Sequence, residues 1–301
     1  MGNSILDQSL NHGQKINNMD GFLLINKDSD WTSRDVCNKV QSIFDLPKVG
    51  HIGTLDPFAT GLLVVTIGKG TKAGQFLESG DKTYLATLKL GEARDGGDVT
   101  GEVVEHKDIP VLTKEKILEV FNSFTGEIEQ VPPLKSAVHF KGRKLYTYAY
   151  NNEKVTPPSR KVKVNSLELI EFNDNTIVFR TNVSSGTYIR VLGEDIAKAL
   201  GTVGYLEALH REKVADLDVK DAHKLTEVKK EDLISISDGL KNMVHVTVDE
   251  QTKKKVKDGL TIIFKNYVKY DNLLLVDEKN VALAVYTRVD RGLYKSLRGL
   301  F

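Results

Sequence analysis

Cysteine is nearly absent from this chain: Cys37 is the only one among 301 residues. A single thiol excludes a disulfide within the chain, and it excludes zinc sites that are built from several cysteines. Proteins without disulfides are typical of reducing compartments, so the composition favours a cytoplasmic protein.

Long apolar runs are absent as well. A membrane-spanning helix needs about 18 consecutive apolar residues, and the sequence contains no such run, so we predict no membrane contact. Residues 1–18 lack the apolar core of a signal peptide, and we interpret them as a polar, flexible tail. The seven histidines include no His-x-x-x-His pair, which argues against a zinc enzyme.

Net charge is also small, because 42 Lys and Arg residues balance 41 Asp and Glu residues to leave +1. One segment, residues 135–163, departs from this balance, since Glu153 is its only acidic residue. Its positive residues are Lys135, Lys141, Arg143, Lys144, Lys154, Arg160, Lys161 and Lys163, and Tyr146, Tyr148 and Tyr150 lie among them. Basic groups bind phosphates and aromatic rings stack on unpaired bases, so the segment indicates nucleic-acid binding. The alternative is a solvated basic face with half-buried tyrosines.

Apolar patterning predicts more strands than helices. Strands are predicted at 22–26, 62–67, 84–90, 126–131, 135–140, 160–172 and 176–183. Helices are predicted after a cap at Thr32 or Ser33, and at 71–77, 113–124 and 189–200, whereas 91–108 is predicted as an acidic loop. Because the strands and helices do not alternate regularly, we predict an α+β fold with a mostly antiparallel mixed sheet.

The length permits one large domain and one small one. We predict the large domain over residues 19–242, and a small β-rich domain over residues 243–301, where short apolar runs alternate with turns. About sixty residues bury little core on their own, so the small domain is expected to dock on the large one.

Residues 50–61, GHIGTLDPFATG, concentrate a histidine, a carboxylate and three glycines between a predicted helix and a predicted strand. Such loops often carry functional side chains. Asp56 precedes Pro57, which favours extended backbone, so its side chain is predicted to project from a turn. The alternatives are an ordinary turn or cap carboxylate for Asp56 and a buried, hydrogen-bonded histidine for His51.

Tyr188 and Arg190 lie in SSGTYIRVLGEDI, at a predicted strand-to-helix transition. A guanidinium beside Asp56 would hold that carboxylate ionised and oriented. The alternative is an ion pair between Arg190 and Glu194, its neighbour one helical turn further on.

A second pattern points to different chemistry. Asp28-Ser-Asp30-Trp-Thr32 follows an apolar strand and matches the Asp-x-Asp-x-Thr pattern of haloacid-dehalogenase-type phosphatases. Asn26 and Lys27 separate the strand from Asp28, and the regular strand–helix alternation of that fold is missing. The pattern therefore ranks well below the others.

These pieces together resemble the TruB family of bacterial tRNA pseudouridine synthases, over roughly residues 21–222. GHIGTLDPFATGLL is similar to the family signature Gly-His-x-Gly-x-Leu-Asp-Pro-x-Ala-x-Gly, and KTYLATLKLG, VPPLKSAVHFKGRKLYTYA, SSGTYIR and ALHR follow in the family's order. The resemblance implies the pseudouridine synthase fold, a PUA-like RNA-binding C-terminal part and a monomer. It implies isomerisation of uridine 55 in the T-arm loop of tRNA, with neither metal nor organic cofactor.

The resemblance also implies roles for individual residues. Asp56 matches the essential aspartate, His51 the histidine associated with base flipping, and Tyr84 the tyrosine that stacks on the uracil. Arg190 matches the arginine that pairs with the aspartate, and Tyr188 and Leu209 match residues that line the pocket. From the basic segment we assign RNA-backbone contacts to Lys135, Lys141, Arg143, Lys144 and Arg160.

Pseudouridine formation explains why these residue types are needed. The bond from N1 of uracil to C1′ of ribose breaks, the base turns, and C5 joins the same carbon. A carboxylate could attack the sugar as a nucleophile, or could remove a ribose proton as a base, and both roles stay open. The base must first leave its stack, so an aromatic platform and a group that fills the vacated space are expected.

Several positions depart from the family pattern, although none of them removes a reacting group. Asp28 and Asp30 replace a proline and a glycine, and Arg94 and Gly96 replace two threonines. Tyr150 and His210 each stand where the family commonly has arginine.

Overall fold

A computed structural model describes residues 19–151, 153 and 155–301. The predicted tail at residues 1–18 and Lys154 of the basic segment lie outside the described residues. The strands and helices in chain order are β1 (Gly21–Lys27), α1 (Ser33–Phe44), β2 (Val49–Ile52), β3 (Thr60–Ile67), α2 (Gly70–Glu78), β4 (Lys82–Leu90), β5 (Glu92–Arg94), β6 (Val103–His106), α3 (Lys114–Phe124), β7 (Gly126–Gln130), β8 (His139–Phe140), β9 (Arg143–Lys144), α4 (Leu145–Tyr150), β10 (Arg160–Phe172), β11 (Thr176–Val183), α5 (Ile189–Ala199), β12 (Gly204–Val214), β13 (Leu217–Asp218), α6 (Ile236–Gly239), β14 (Val244–Thr247), α7 (Glu250–Lys257), β15 (Ile262–Ile263), β16 (Asn272–Val276), β17 (Ala282–Asp290) and β18 (Leu293–Gly299).

A nine-stranded sheet forms the larger part of the molecule. Its main strand order is β1-β3-β12-β4-β11-β10-β7, with β2 paired to β3 and β13 paired to β12. All of these pairs are antiparallel except the short parallel pair between β12 and β3. In β4 every second residue from Lys82 to Leu90 is buried, which is the alternation that predicts a half-buried strand.

Helix α1 shows how local sequence places the elements. The Thr32 hydroxyl accepts a hydrogen bond from the Asp35 amide at 3.0 Å, and the Asp35 carboxylate accepts one from the Thr32 amide at 3.3 Å. This capping box satisfies amides that the first turn leaves unpaired, and it confirms Thr32 as the cap. Val36, Val40 and Phe44 lie on one face of the helix and are buried against the sheet.

The two faces of the sheet carry different layers. Helices α1, α3 and α5 bury Val40, Phe121 and Leu192 against one face. On the other face, Leu62 and Val64 of β3 pack with Leu77 of α2 and with side chains of the C-terminal strands. The apolar residues of β3 are therefore buried on both sides, which explains its continuous apolar run.

The C-terminal strands form a separate five-stranded sheet in the order β14-β16-β17-β18-β15. It has a core of its own, which includes Val246, Leu275, Tyr286 and Tyr294. Leu274 and Val285 lie in the apolar cluster that is shared with the large sheet. A domain boundary at residues 242/243 stays a prediction.

Several elements differ from the sequence-based prediction. The strand predicted at 135–140 is mostly wrong, since only His139–Phe140 is extended and pairs with β9. The loop predicted at 91–108 contains the hairpin β5–β6, and β6 shows no alternation because all four of its residues are exposed. Bulges interrupt the alternation of β12, and α7 buries only Val256 fully, so neither carries a clear periodic signal.

Helix α4 is also missing from the prediction. It is six residues long, and its buried residues Leu145 and Tyr148 are three positions apart on one face. In the described part of the chain, no helix has the length and apolarity needed to cross a membrane.

Candidate active site

Asp56 lies in the loop between β2 and β3, at a point where two strands share one edge of β3. Along this edge, β2 pairs with residues 64–67 and β12 pairs only with Thr60 and Gly61, while β1 occupies the opposite edge. The Leu62 carbonyl falls between the two partners, and it accepts a hydrogen bond from Arg211 Nε at 2.7 Å. The sheet therefore opens beside the Asp56 loop.

Gly61 permits this close approach. Its φ is +98°, and a Cβ at this position would lie 2.4 Å from the Arg211 carbonyl oxygen. Both the positive φ and the contact exclude a larger side chain without a backbone shift. The final glycine of the GHIGTLDPFATG segment is thus required by packing against β12.

Three buried polar side chains anchor the Asp56 loop through its backbone. Arg211 Nη2 donates to the Gly53 carbonyl at 3.0 Å, and Lys27 Nζ donates to the Pro57 carbonyl at 3.1 Å. The Ser33 hydroxyl accepts from the Leu55 amide at 2.9 Å and donates to the Leu55 carbonyl at 3.1 Å. These contacts on both sides of residue 56 hold the loop in a single geometry.

Arg190, at the start of α5, binds Asp56 directly although 134 residues separate them in sequence. Its Nε lies 3.0 Å from Asp56 Oδ2, and its Nη2 lies 3.4 Å from Oδ1. A second carboxylate, Asp98, approaches Nη1 at 3.5 Å. The guanidinium thus faces two carboxylates, and its fork geometry fixes the orientation of Asp56.

Backbone carbonyls hold the same guanidinium from the other side. Arg190 Nη1 donates to the Gly96 carbonyl at 2.7 Å, and Nη2 donates to the Lys135 carbonyl at 3.2 Å. Arg190 is 5% exposed, so its charge acts in a poorly hydrated environment. The alternative pair with Glu194 is not among the ion pairs that the described residues form.

Opposing effects act on the Asp56 carboxyl. Burial raises its pKa above the ordinary value, and the nearby Arg190 cation counters this rise. Asp98 adds a smaller upward effect, whereas the Arg190 hydrogen bond and Lys27 lower the pKa. The site therefore combines a desolvated carboxylate with a fixed cation that favours the ionised form.

A cleft of about 670 Å³ opens above Asp56. This volume lies in the range of small-molecule sites, about 300–1,000 Å³. Its wall contains Tyr84 of β4, Leu209 of β12, Tyr188, Arg190 and Asp56 itself. Five of the six side chains that the sequence assigns to the catalytic pocket therefore converge on one cleft.

Positive side chains outnumber negative ones in the cleft wall. The cations are Lys82, Lys135, Arg160, Arg190 and Arg211, and the carboxylates are Asp56, Glu78 and Asp98. Apolar and aromatic walls with fixed cations suit a ligand that carries both an aromatic ring and negative charge.

His51 is the sixth pocket residue, and it does not belong to the cleft wall. His51 lies in β2 and pairs with Val65 of β3. Gly53, two residues after His51, does line the cleft. Burial lowers the pKa of His51, and Arg34 and Arg211 lower it further. Its Nδ1 is buried and has no hydrogen-bond partner among the described residues.

The five residues assigned to the RNA backbone separate into two groups. Lys135 and Arg160 line the cleft, and Lys135 forms an ion pair with Asp95 at 2.7 Å. Lys141, Arg143 and Lys144 lie outside the cleft wall on the β8–β9 hairpin.

The hairpin cations contact aromatic rings. Lys141 Nζ lies 5.3 Å from the Phe140 ring centre, and Arg143 Cζ lies 4.0 Å from that of Tyr148. Lys144 Nζ lies 5.7 Å from the centre of the Tyr146 ring, which does line the cleft. The basic hairpin therefore adjoins the cleft through helix α4.

Sequence reasoning assigned no role to several polar side chains of the cleft, among them Asp98, Ser136, Lys82 and Arg211. Asp98 is 6% exposed, and it sits in the acidic region predicted as a loop, where GGD was its only signal. The Ser136 hydroxyl is buried in the cleft wall without a partner among the described residues. Lys82 and Arg211 lie within the motifs KTYLATLKLG and ALHR, but no role was assigned to either side chain.

The phosphatase-like pattern takes no part in this cleft. Asp28 forms an ion pair with Lys224, and Asp30 has a φ of +65° in the turn after β1. Neither residue lines the cleft. Among the described residues, no group of three or more His, Cys, Asp or Glu side chains is placed to hold a metal ion.

The sequence is similar to a known family and to named relatives. Residues 41–189 match the model of the TruB family pseudouridylate synthase (N terminal domain). The chain is 41% identical over 211 residues to a tRNA pseudouridine synthase B of Hydrogenovibrio crunogenus, covering 70% of each protein. It is 36% identical over 280 residues to that of Francisella philomiragia, covering 90% of this chain and 92% of the relative.

The fold has solved counterparts. A chain in the crystal structure of a Cbf5-Nop10-Gar1 complex is similar with a TM-score of 0.74, at 22% identity, over 94% of this chain and 85% of that chain. At this identity the likeness concerns the fold alone. It confirms the predicted α+β architecture with its β-rich C-terminal part.

Proposed function

Because the chain belongs to the TruB family of pseudouridylate synthases and is a pseudouridine synthase, we propose that its substrate is tRNA and that it isomerises uridine 55 of the T-arm loop. The relatives that support this proposal are named tRNA pseudouridine synthases. The observation that carries the choice of Asp56 as catalytic carboxylate is its fixed pairing with Arg190 at the base of the cleft.

In the proposed reaction, Asp56 acts on the ribose of the target nucleotide. As a nucleophile it would attack C1′, and as a base it would remove a ribose proton. Either role requires the ionised carboxylate, which Arg190 favours against the upward effect of burial on the pKa. The same guanidinium restrains the direction of the Asp56 oxygens through two contacts.

The reaction balances without an oxidant or reductant. The N1–C1′ bond breaks, the C5–C1′ bond forms, the proton on C5 leaves and N1 gains a proton. We accordingly propose that the enzyme works with neither metal nor organic cofactor. A monomer in the cytoplasm stays a prediction.

The base would lie against Tyr84 and Leu209. Both side chains line the cleft, and each is less than 10% exposed, so they offer a dry, apolar wall. A uracil ring that has left its stack in the RNA regains stacking on the tyrosine. Tyr188 would close the opposite wall, and its backbone is held there by Gln130.

Binding of the T arm would use the basic segment. Lys135 and Arg160 would contact the backbone within the cleft, and Lys141, Arg143 and Lys144 would contact it beside the cleft. His51 would fill the space that the flipped base leaves. Its position on β2, two residues before Gly53 of the cleft wall, supports a role outside the chemical step.

A labelled stem-loop tests the proposal. An unmodified T-arm stem-loop that carries tritium at C5 of uridine 55 should release tritium when the wild-type protein is added. The matched control carries the label at every uridine except 55, and it should release none. Release from the control alone, or from neither RNA, would overturn the assignment of uridine 55.

A further inference from the structure

One corner of the cleft gathers two cations and a hydroxyl whose purpose the chemical step does not explain. Lys82 Nζ donates to the Glu78 carbonyl at 2.5 Å, and the Ser185 hydroxyl donates to the same carbonyl at 2.8 Å. The ammonium and the hydroxyl are therefore neighbours. Arg160 packs against the next residue, Gly186, with Cζ 3.6 Å from the position of a Cβ there.

Lys82 and Arg160 keep unused hydrogen-bond donors, whereas the single hydrogen of the Ser185 hydroxyl is donated to the Glu78 carbonyl. Lys82 Nζ also donates to the Gly80 carbonyl at 2.7 Å, so one of its three hydrogens has no acceptor in the part of the chain that the structure describes. Arg160 donates to the Gly186 carbonyl, and its buried Nε has no partner among the described residues. The centre of the Tyr188 ring lies 5.0 Å from Arg160 Cζ, which is a cation–π contact.

Lys82, like Lys27 and Arg211, carries a charge that is buried without an ion-pair partner among the described residues. It is 6% exposed, and within the described chain it belongs to no ion pair. Burial lowers the pKa of Lys82 to about 8, with a further lowering by Arg211, whereas Glu78 and Asp81 raise it. Buried ammonium groups are rarely left unpaired, so an arriving anion would be stabilised here.

We propose that Lys82, Arg160 and Ser185 form a binding site for one backbone phosphate that flanks the flipped uridine. The proposal rests on the proposed function, which makes RNA the ligand. A phosphodiester offers two charged oxygens, and an ammonium, a guanidinium and a hydroxyl are its usual donors. The Ser185 hydrogen, which here points to the Glu78 carbonyl, would turn to the phosphate.

The corner is well placed to align the ribose. Tyr188 contacts Arg160 with its ring, and two residues later Arg190 binds Asp56, so one short segment connects the corner with the carboxylate. Asp56 acts at the sugar, and the flanking phosphates are joined to that same sugar. A phosphate held at the corner would therefore restrict how C1′ approaches Asp56.

Neutral phosphate replacements test the site. A methylphosphonate is introduced at one phosphate at a time, on either side of uridine 55 in a T-arm stem-loop, and binding is measured with wild-type protein and with Arg160→Gln. At one position the replacement should weaken wild-type binding about tenfold, the magnitude expected for a charged hydrogen bond. In Arg160→Gln the same replacement should have almost no further effect.

The matched control is Lys141→Gln, which removes one positive charge from the same basic segment outside the cleft wall. In this variant every methylphosphonate should weaken binding as much as it does in wild type. In Ser185→Ala, the methylphosphonate at the position that Arg160→Gln identifies should weaken binding less than it does in wild type. This variant leaves the buried charge of Lys82 in place.

If every methylphosphonate weakened the binding of Arg160→Gln by the same factor as the binding of wild type, the phosphate site would be overturned. Absence of binding to the unsubstituted stem-loop would overturn both the site and the proposed function. Tritium release reports the function separately, because coupled binding without release would support the site and contradict the function.

Discussion

Cations serve different purposes in two neighbouring regions of this molecule. Around Asp56, the side chains of Lys27, Arg190 and Arg211 are at most 5% exposed, and each donates to backbone carbonyls. In the hairpin and helix at 139–150, Lys141 and Arg143 are exposed and lie against aromatic rings. Buried cations fix backbone geometry, whereas of the exposed cations Lys141 keeps its charge available to a partner and Arg143 forms an exposed ion pair with Glu153.

The difference follows from hydration. A buried cation loses its water, so it must bind several acceptors, and removing it leaves those acceptors unpaired. An exposed cation is already hydrated, so its removal costs little stability and changes mainly the attraction for phosphates. Variants of the two regions should therefore differ in which property they lose.

The largest effect is expected for Arg190→Lys. An ammonium keeps the charge but cannot reproduce contacts with Asp56, Asp98 and two carbonyls at once. The single-turnover rate should fall roughly 10²–10³-fold, as for loss of one fixed electrostatic contact in an active site.

The pH profile of the same variant provides a second readout. The wild-type rate should fall as pH decreases through the pKa of Asp56, which burial raises. In Arg190→Lys the weaker contact should move this decline to higher pH. A rate and profile equal to those of wild type would contradict the proposed role of the Asp56–Arg190 pair.

A smaller effect, on stability, is expected for Arg211→Met. The change leaves the buried Leu62 carbonyl and the partly buried Gly53 carbonyl without their donor, so the free energy of unfolding should fall by about 3 kcal/mol. Urea denaturation monitored by circular dichroism measures this. Arg143→Gln is the control in the exposed region, where the loss should stay below about 1 kcal/mol. Equal losses would remove the distinction between the regions.

Ser33→Ala should cost less, about 1–3 kcal/mol, because it leaves the buried Leu55 amide unpaired. The same denaturation experiment measures it. Ser33→Thr retains the hydroxyl and serves as the matched control, which should recover part of the loss. No difference between Ser33→Ala and wild type would show that the loop does not depend on this anchor.

The smallest change in stability is expected for Lys141→Gln, within about 0.5 kcal/mol. Its effect should appear in RNA binding, where the slope of log affinity against log salt should decrease by about one. Fluorescence anisotropy of a labelled stem-loop over a range of salt concentrations measures this slope. An unchanged slope would exclude Lys141 from the RNA contact.

Elements with recurring apolar side chains were predictable, and in Thr176–Val183 every second residue is buried. The strands Arg160–Phe172 and Thr176–Val183 agree with their predicted bounds, and the helix predicted at 189–200 begins at Ile189. The hairpin β5–β6 and helix α7 escaped prediction, since exposed or mainly polar segments carry no apolar period.

The site was predictable only where a motif marked it. Asp56 and Arg190 could not be joined from sequence spacing alone, and it was the resemblance that suggested their pairing. Lys82 and Arg211 lie in quoted motifs, but strand pairing brings them to the cleft, and sequence spacing does not reveal that pairing. His51 shows the opposite case, since its motif is clear and yet its side chain lies beside the cleft wall.

Two of the residues that depart from the family pattern, Arg94 and His210, form local hydrogen bonds. Arg94 binds Glu92 and donates to the Val99 carbonyl, so it braces the loop that carries Asp98. His210 Nδ1 lies 2.8 Å from the Thr60 hydroxyl, within the pair of β12 and β3. Tyr150 is 88% exposed, and nothing in the structure explains its replacement of arginine.

The central claim is that Asp56 performs the chemistry while other groups hold the RNA. Its most direct test compares wild type with Asp56→Asn in a single-turnover reaction on unmodified tRNA, with pseudouridine mapped chemically and RNA binding measured in parallel. We expect product at position 55 with wild type, and a rate lower by about 10⁴-fold or more with Asp56→Asn at an unchanged Kd. Product formation by Asp56→Asn at a rate near that of wild type would contradict the claim.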